Sequence, residues 1–318
     1  MSESLILALP SKGRLKEQCE AWLADCGLPV RASGGERGYA ARLAGAPDIE
    51  VRLVSASEIA GALFSGEVHL GVTGEDLLRE LAGDLDERVM LLQALGFGRA
   101  DLVVAAPKSW IDVETMADVD EVAHLFLART GRRLRVATKY LNQTRAFFAW
   151  HGVVDYRIVE SGGATEGAPA AGAAELITDI TTTGATLAAN GLKILSDGLI
   201  LSSQAQLAAS LSADWDRVRL DAAHRLLRIL EARARAKRTA TLTWPPDADE
   251  AAREAVAEFI GADVKVRQFG LLVRGEEVFS ATAALAAHAV GPVTVSNPAY
   301  VFESVSEPIE ALSRRLQV

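Results

Sequence analysis

Leu176-Ile177-Thr178-Asp179-Ile180-Thr181-Thr182-Thr183-Gly184-Ala185-Thr186-Leu187 is an apolar strand that ends at an acid, passes through a threonine-rich turn and enters a helix. A junction of this kind belongs to a parallel sheet, because the helix carries the chain back over a sheet face before the next strand begins. Short apolar runs upstream have the same setting: Leu5–Leu9, Glu50–Ser55, His69–Thr73, Asp101–Ala106, Leu134–Thr138 and Asp155–Glu160. Several of them lead directly into a Gly-, Thr- or Lys-bearing turn and then a helix. Leu192–Leu195 and Gly198–Leu201 follow as a further apolar pair. Mostly parallel sheets with helices on both faces are therefore expected over the first 210 residues. In such sheets ligands bind beyond the carboxyl ends of the strands, so the strand-to-helix turns are where chemistry should sit.

After about Ser210 the rhythm changes. Asp214 to Lys237 reads as a helix with a basic end, its apolar stripe at Val218, Ala222, Leu226, Leu227 and Leu230. A strand over Thr239–Trp244, a helix over 247–260, strands over Val264–Phe269 and Leu271–Arg274, a helix over Glu277–Ala289 and a strand over Val293–Ser296 follow. The order β-α-β-β-α-β is the ferredoxin-like pattern, which makes a small α+β module. Junctions near Asp214 and Pro245 read as its hinges.

The chain has 318 residues, enough for about two domains or three small ones. Its 33 basic and 42 acidic residues leave a net charge of −9, which disfavours non-specific binding to nucleic acid or to anionic membranes. Two cysteines cannot make a disulfide framework; Cys19 and Cys26 share a helix stripe with Leu15, Trp22 and Leu23 and read as reduced core residues of a cytoplasmic protein. The run Leu5–Leu9 lacks a basic flank and a cleavage site, and no run of about 18 apolar residues occurs, so neither a signal peptide nor a membrane span is expected.

Glycine at 184 permits consecutive N–H groups to point at one anion, and Thr183 and Thr186 add hydroxyl donors, so the turn suits a phosphate monoester. Asp179 is placed to accept from sugar hydroxyls. The alternative is a threonine-rich turn in which Thr182 or Thr183 is an ordinary helix N-cap. Three other junctions combine with this turn. Ala8-Leu9-Pro10-Ser11-Lys12-Gly13-Arg14-Leu15 sets two cations at a strand end, either as a solvated turn or where they suit a polyphosphate. Gly71-Val72-Thr73-Gly74-Glu75-Asp76-Leu77-Leu78 offers two acids to a helix start, either for the helix dipole or for a ligand. The third is the polar, Gly-rich loop Glu160–Pro169, which holds Glu166. Other chemistries lack their motifs. There is no G-x-x-x-x-G-K-[ST] and no G-x-S-x-G. Gly96-Phe97-Gly98 precedes a strand rather than following one. His69, His124, His151, His224 and His288 have no i, i+4 partner or nearby cysteine for zinc.

Together these segments resemble the ATP phosphoribosyltransferase family. The pieces that carry the resemblance are Leu9–Leu15, Val51–Ala60 with Leu70–Leu78, Leu95–Pro107 with Gly96-Phe97-Gly98-Arg99, Arg135–Tyr140, Ser161–Pro169 and Asp179–Leu195. The resemblance implies transfer of phosphoribosyl from phosphoribosyl pyrophosphate to N1 of ATP, with Mg²⁺ bound mainly through substrate rather than at a protein-built site. It implies Asp179, Lys12 and Arg14 as catalytic residues, with Asp179 holding ribose hydroxyls and Lys12 and Arg14 near polyphosphate oxygens. Thr182, Thr183, Gly184, Ala185 and Thr186 would cradle the 5-phosphate. Gly74, Asp76, Arg99 and Glu166 would contact nucleotide.

The implied fold is two periplasmic-binding-protein-like (type II) α/β domains forming a cleft, with a C-terminal ferredoxin-like domain. We expect the first domain over 1–106 with 196–222, the second over 107–195 and the third over 238–318. In the family's long form the third domain binds histidine as feedback inhibitor. Here Val266-Arg267-Gln268-Phe269-Gly270 and Val290-Gly291-Pro292-Val293-Thr294-Val295 depart from the family's local pattern. A third domain argues against a separate regulatory chain, and the family implies a homo-oligomer, dimer or hexamer.

Two rival readings stand beside this one, each with a feature that counts against it. Salvage phosphoribosyltransferases use a similar loop but carry two adjacent acids before it, where this chain has Asp179-Ile180. A solute-binding protein of the same two-lobed fold would need an export signal.

Overall fold

The structure is a computed structural model that describes residues 4–32, 40–81, 83–259, 265–267 and 269–316. Its first sheet has seven strands, in the order Val30–Ala32, Ala40–Leu43, Ala46–Val54, Leu5–Pro10, Leu70–Gly74, Ala205–Ser210, Val89–Ala94. Leu5–Pro10 runs parallel to both of its neighbours, whereas Ala205–Ser210 is antiparallel to both of its own. Leu5, Leu7, Leu9, Leu70 and Val72 are buried with Cys19, Leu23 and the stripe Leu226, Leu227 and Leu230 of the helix Arg217–Ala236. Continuous apolar strands of this kind are what a sheet covered on both faces requires. On the opposite face the helix Ala56–Ser65 begins at Ser55, whose hydroxyl accepts the Glu58 N–H while its own N–H donates to the Glu58 carboxylate. Cys19 and Cys26 are buried thiols, as expected, and burial pushes them up to about 12 and about 11.

The second sheet has five strands, in the order Leu192–Ser203, Ala100–Pro107, Leu176–Thr181, Leu134–Thr138, Tyr156–Glu160. In both sheets an antiparallel strand joins a parallel set, which is the type II periplasmic-binding-protein-like arrangement. The chain passes from the first sheet to the second over residues 95–99 and returns at Gln204. The two crossings are bonded to each other: Ala205 N–H donates to Phe97 O at 3.0 Å, Leu95 N–H to Ala205 O at 3.0 Å, and Gly96 N–H to Gln204 Oε1 at 3.0 Å. Ala100–Pro107 and the whole of Leu192–Ser203 pair within the second sheet, so the lobes divide at these crossings rather than at 106/107 and 195/196. The apolar pair expected at 192–201 is one strand with irregular register between Ile194 and Leu201.

The third sheet is antiparallel, in the order Lys265–Arg267, Gly270–Arg274, Thr239–Thr243, Thr294–Ser296, and this is the ferredoxin-like strand order. Its helices Asp249–Phe259 and Val278–Ala287 close a small core around Leu242, Trp244, Ala255, Leu271 and Leu285. Ile260, at the end of an expected helix, and Val264 and Gln268, in an expected strand, lie outside the described residues. The C-terminal helix Glu307–Leu316 leaves this module: Leu312 is buried in the first lobe's core, and that helix packs on Arg217–Ala236. Among the described residues no helix is long and apolar enough to cross a membrane.

Candidate active site

The strand Leu176–Thr181 delivers Asp179 to the carboxyl edge of the second sheet, where the side chain is half-buried. Ile180 N–H donates to Asp179 Oδ1 at 2.8 Å. Burial raises the Asp179 carboxyl above the ordinary carboxylate range. The Ile180 N–H and the Lys139 ammonium pull it partly back, and Glu166 pushes it up.

The turn that follows is closed by its own hydroxyls. Gly184 N–H donates to Thr181 Oγ1 at 2.8 Å and Ala185 N–H to Thr183 Oγ1 at 3.4 Å. Gly184 has φ +73° and is itself the N-cap of the short helix Ala185–Ala189, so neither Thr182 nor Thr183 is an ordinary N-cap.

Asp179, Thr182, Thr183, Thr186 and Glu166 line one cavity of about 300 Å³. A second cavity, of about 450 Å³, adjoins it through Ala100, Thr181 and Thr182 and is lined further by Arg99, Ser203 and Gln204. Thr182 Oγ1 donates to Arg99 O at 3.4 Å, which ties the turn to the inter-lobe crossing. The expected phosphate turn, its acid, Glu166 and Arg99 are thus brought together.

Lys12 and Arg14 lie elsewhere. They flank Gly13, φ +73°, at the exposed start of the helix Gly13–Asp25. The strand Leu5–Pro10 runs parallel to Leu70–Gly74 and ends just before Lys12 and Arg14, so both stand past the first sheet's carboxyl edge. They line neither cavity. The close approach of Leu15 to Gly98 holds this helix start against the crossing.

Gly74 and Asp76 have a different setting from the expected nucleotide contact. Asp76 is 6% exposed. Its Oδ1 accepts the Ser203 hydroxyl at 2.8 Å, its N–H donates to Ser203 Oγ at 3.0 Å, and its Oδ2 accepts the Tyr140 hydroxyl at 2.6 Å. A side chain at Gly74 would collide with Asp76 Oδ1. Nearby, Asn142 and Gln143 N–H groups donate to the Glu80 carboxylate at 2.9 and 3.2 Å, and Gln143 Nε2 donates to Asp76 O at 2.9 Å. This network, buried at Asp76, Ser203 and Tyr140 and exposed at Asn142, joins a helix of the first lobe to a helix start of the second. Sequence reasoning missed Tyr140 and Ser203. Tyr140 lies two residues past a strand end, where a search of junctions could have found it; Ser203 carries no local signal.

Two α/β lobes with a threonine turn and an acid lining a cavity at the carboxyl edge of a sheet define a two-lobed α/β protein of the periplasmic-binding-protein-like class. Residues 55–231 match the family model described as ATP phosphoribosyltransferase. The chain is 65% identical over 317 residues to the ATP phosphoribosyltransferase of Caulobacter vibrioides, covering 100% of this chain and 99% of that one. It is 50% identical over 319 residues to that of Nitrobacter winogradskyi, covering 98% of each. Among solved structures, the ATP phosphoribosyl transferase (HisG:HisZ) complex from Thermotoga maritima matches with a TM-score of 0.55 and 26% identity, over 71% of this chain and 96% of that chain. The chain belongs to the ATP phosphoribosyltransferase family and is a transferase of histidine biosynthesis.

Proposed function

We propose that the chain joins ATP to phosphoribosyl pyrophosphate, giving N1-(5-phosphoribosyl)-ATP and pyrophosphate. The observation that carries this reading is that Asp179 and the turn residues Thr181, Thr182, Thr183 and Thr186 share one cavity at a strand's carboxyl end. The C1–O bond of the donor breaks with its electron pair leaving on pyrophosphate. The lone pair of adenine N1 forms the new C1–N bond, and one proton then leaves the exocyclic amino group to water. Because the ribose centre is oxocarbenium-like between these events, the protein's contribution is alignment and neutralisation of departing charge.

In this reading Thr182, Thr183, Gly184, Ala185 and Thr186 hold the 5-phosphate and Asp179 accepts from ribose hydroxyls. Lys12 and Arg14, exposed past the first sheet's carboxyl edge, meet polyphosphate oxygens that extend beyond the two cavities. Arg99 and Glu166 face the nucleotide from the adjoining cavities. Gly74 and Asp76 act behind them by fixing the lobes to each other.

Among the described residues no group of three or more His, Cys, Asp or Glu could hold a metal ion. Two carboxylates, Asp179 and Glu166, line the same cavity, and magnesium is commonly bound by one or two carboxylates together with substrate phosphates. Mg²⁺ fits as an ion carried on the substrates, where it offsets polyphosphate charge.

The third module supports regulation within the chain, with histidine as the effector to test, in a cytoplasmic homo-oligomer. A pyrophosphate-release assay tests the reading: release should require both ATP and phosphoribosyl pyrophosphate and should fall with added histidine. Release from free purine bases in place of ATP would favour the salvage class instead.

A further inference from the structure

The second lobe presents a cation that none of these roles uses. Lys139 follows the strand Leu134–Thr138 directly. That strand runs parallel to Leu176–Thr181 with Leu176 opposite Val136 and Ile177 opposite Ala137, a register that sets Lys139 beside Asp179 at the shared carboxyl edge. The two side chains interact electrostatically. Lys139 is exposed, and among the described residues its ammonium makes no ion pair. It lies 4.9 Å from the centre of the Tyr140 ring, whose hydroxyl is fixed to Asp76. The aromatic face steadies the cation without neutralising it.

Sheet order gives this position a meaning. The threonine turn leans to one side of Asp179: Thr182 bonds to Arg99, which leads into Ala100–Pro107, and the helix Ala185–Ala189 packs on Leu192–Ser203. Lys139 stands on the other side of Asp179, on the neighbouring strand. Across the edge the order is phosphate turn, acid, ammonium. Phosphoribosyl pyrophosphate has the same order: 5-phosphate, ribose hydroxyls, then the pyrophosphate on C1.

Resting on the reading above, we propose that Lys139 is a catalytic residue that binds the C1 pyrophosphate of the donor and meets the charge it acquires on leaving. When the C1–O bond breaks, its electron pair stays on the pyrophosphate oxygen. The ammonium pairs with that oxygen and keeps its proton, so no further reactant is needed.

The test compares Lys139→Met and Lys139→Arg with the wild-type chain, by calorimetric titration with phosphoribosyl pyrophosphate and with ribose 5-phosphate, which lacks the C1 group. Lys139→Met should bind the donor at least ten-fold more weakly, bind ribose 5-phosphate unchanged, and turn over about 100-fold more slowly. Lys139→Arg should recover most of both losses. Unchanged donor affinity in Lys139→Met overturns the proposal, and so does equal weakening of both ligands. The phosphate turn is judged separately: a Gly184→Val variant that keeps wild-type affinity for ribose 5-phosphate removes the turn from the site, whatever Lys139 does.

Discussion

The Tyr140 hydroxyl donates a 2.6 Å hydrogen bond to Asp76 Oδ2, joining the second lobe to the first through two side chains that are 1% and 6% exposed. Burial pushes the Tyr140 phenol up, and the nearby Asp76 carboxylate pushes it the same way, so the proton stays on the tyrosine. Tyr140→Phe leaves a buried carboxylate oxygen unsatisfied and is expected to destabilise the fold by about 1.5–3 kcal/mol. Denaturant unfolding checks this. Gly74→Ala, whose new methyl meets Asp76 Oδ1, should show a loss of the same kind.

Gly184→Val probes the turn through backbone conformation. The nearest atom to a side chain built there is Ile194 Cδ1 at 3.6 Å, so space is not the obstacle. The φ of +73° is, because a β-branched residue is a genuine outlier there, at a cost of about 1–3 kcal/mol. Expected are a lower melting temperature and loss of phosphoribosyl pyrophosphate binding by calorimetry.

Asp179→Asn separates catalysis from stability. The folded carboxyl titrates above its unfolded value. Its contribution therefore favours folding below the unfolded value of about 3.9 and is lost as pH rises through the folded one. At neutral pH the asparagine variant should melt at or above the wild type, with the advantage disappearing in acid. Its turnover should fall about 100-fold. Wild-type turnover should decline as pH drops through the raised Asp179 value. A variant that keeps full speed would make Asp179 a turn residue only.

Asp25 works in the opposite sense. Hydrogen bonds from Arg233, at 2.7 Å, and from Lys237 hold its carboxyl down to about 2. That contribution is complete above the unfolded value of about 3.9 and is lost as pH falls toward the folded one. Asp25→Asn should melt below the wild type at pH 7, and the gap should close in acid. Thermal scans across pH check it.

The junctions were legible where local chemistry is strong. Leu176–Leu187 announces itself because an apolar run, an acid and a glycine at the turn agree with one another, and the third module because its element order is regular. Ala205–Ser210 did not announce itself. Alanine, glutamine and serine have weak strand preference, and this segment is a strand because the edges of Leu70–Gly74 and Val89–Ala94 hold it on both sides. Asp76 could be read only as an acid at a helix start; its partner Tyr140 is 64 residues away, beyond any local pattern. Lys12 and Arg14 were recognisable as cations at a strand end, but their separation from the two cavities depends on how the lobes stand.

The place of Ala205–Ser210 between Leu70–Gly74 and Val89–Ala94 also bears on how the molecule is made. Residues 100–203 form an uninterrupted insertion whose sheet is complete in itself, whereas the N-terminal sheet lacks an interior strand until the ribosome has passed residue 210. Synthesis therefore delivers the later lobe whole while the earlier one still waits for its closing piece, reversing the usual N-to-C order of domain maturation.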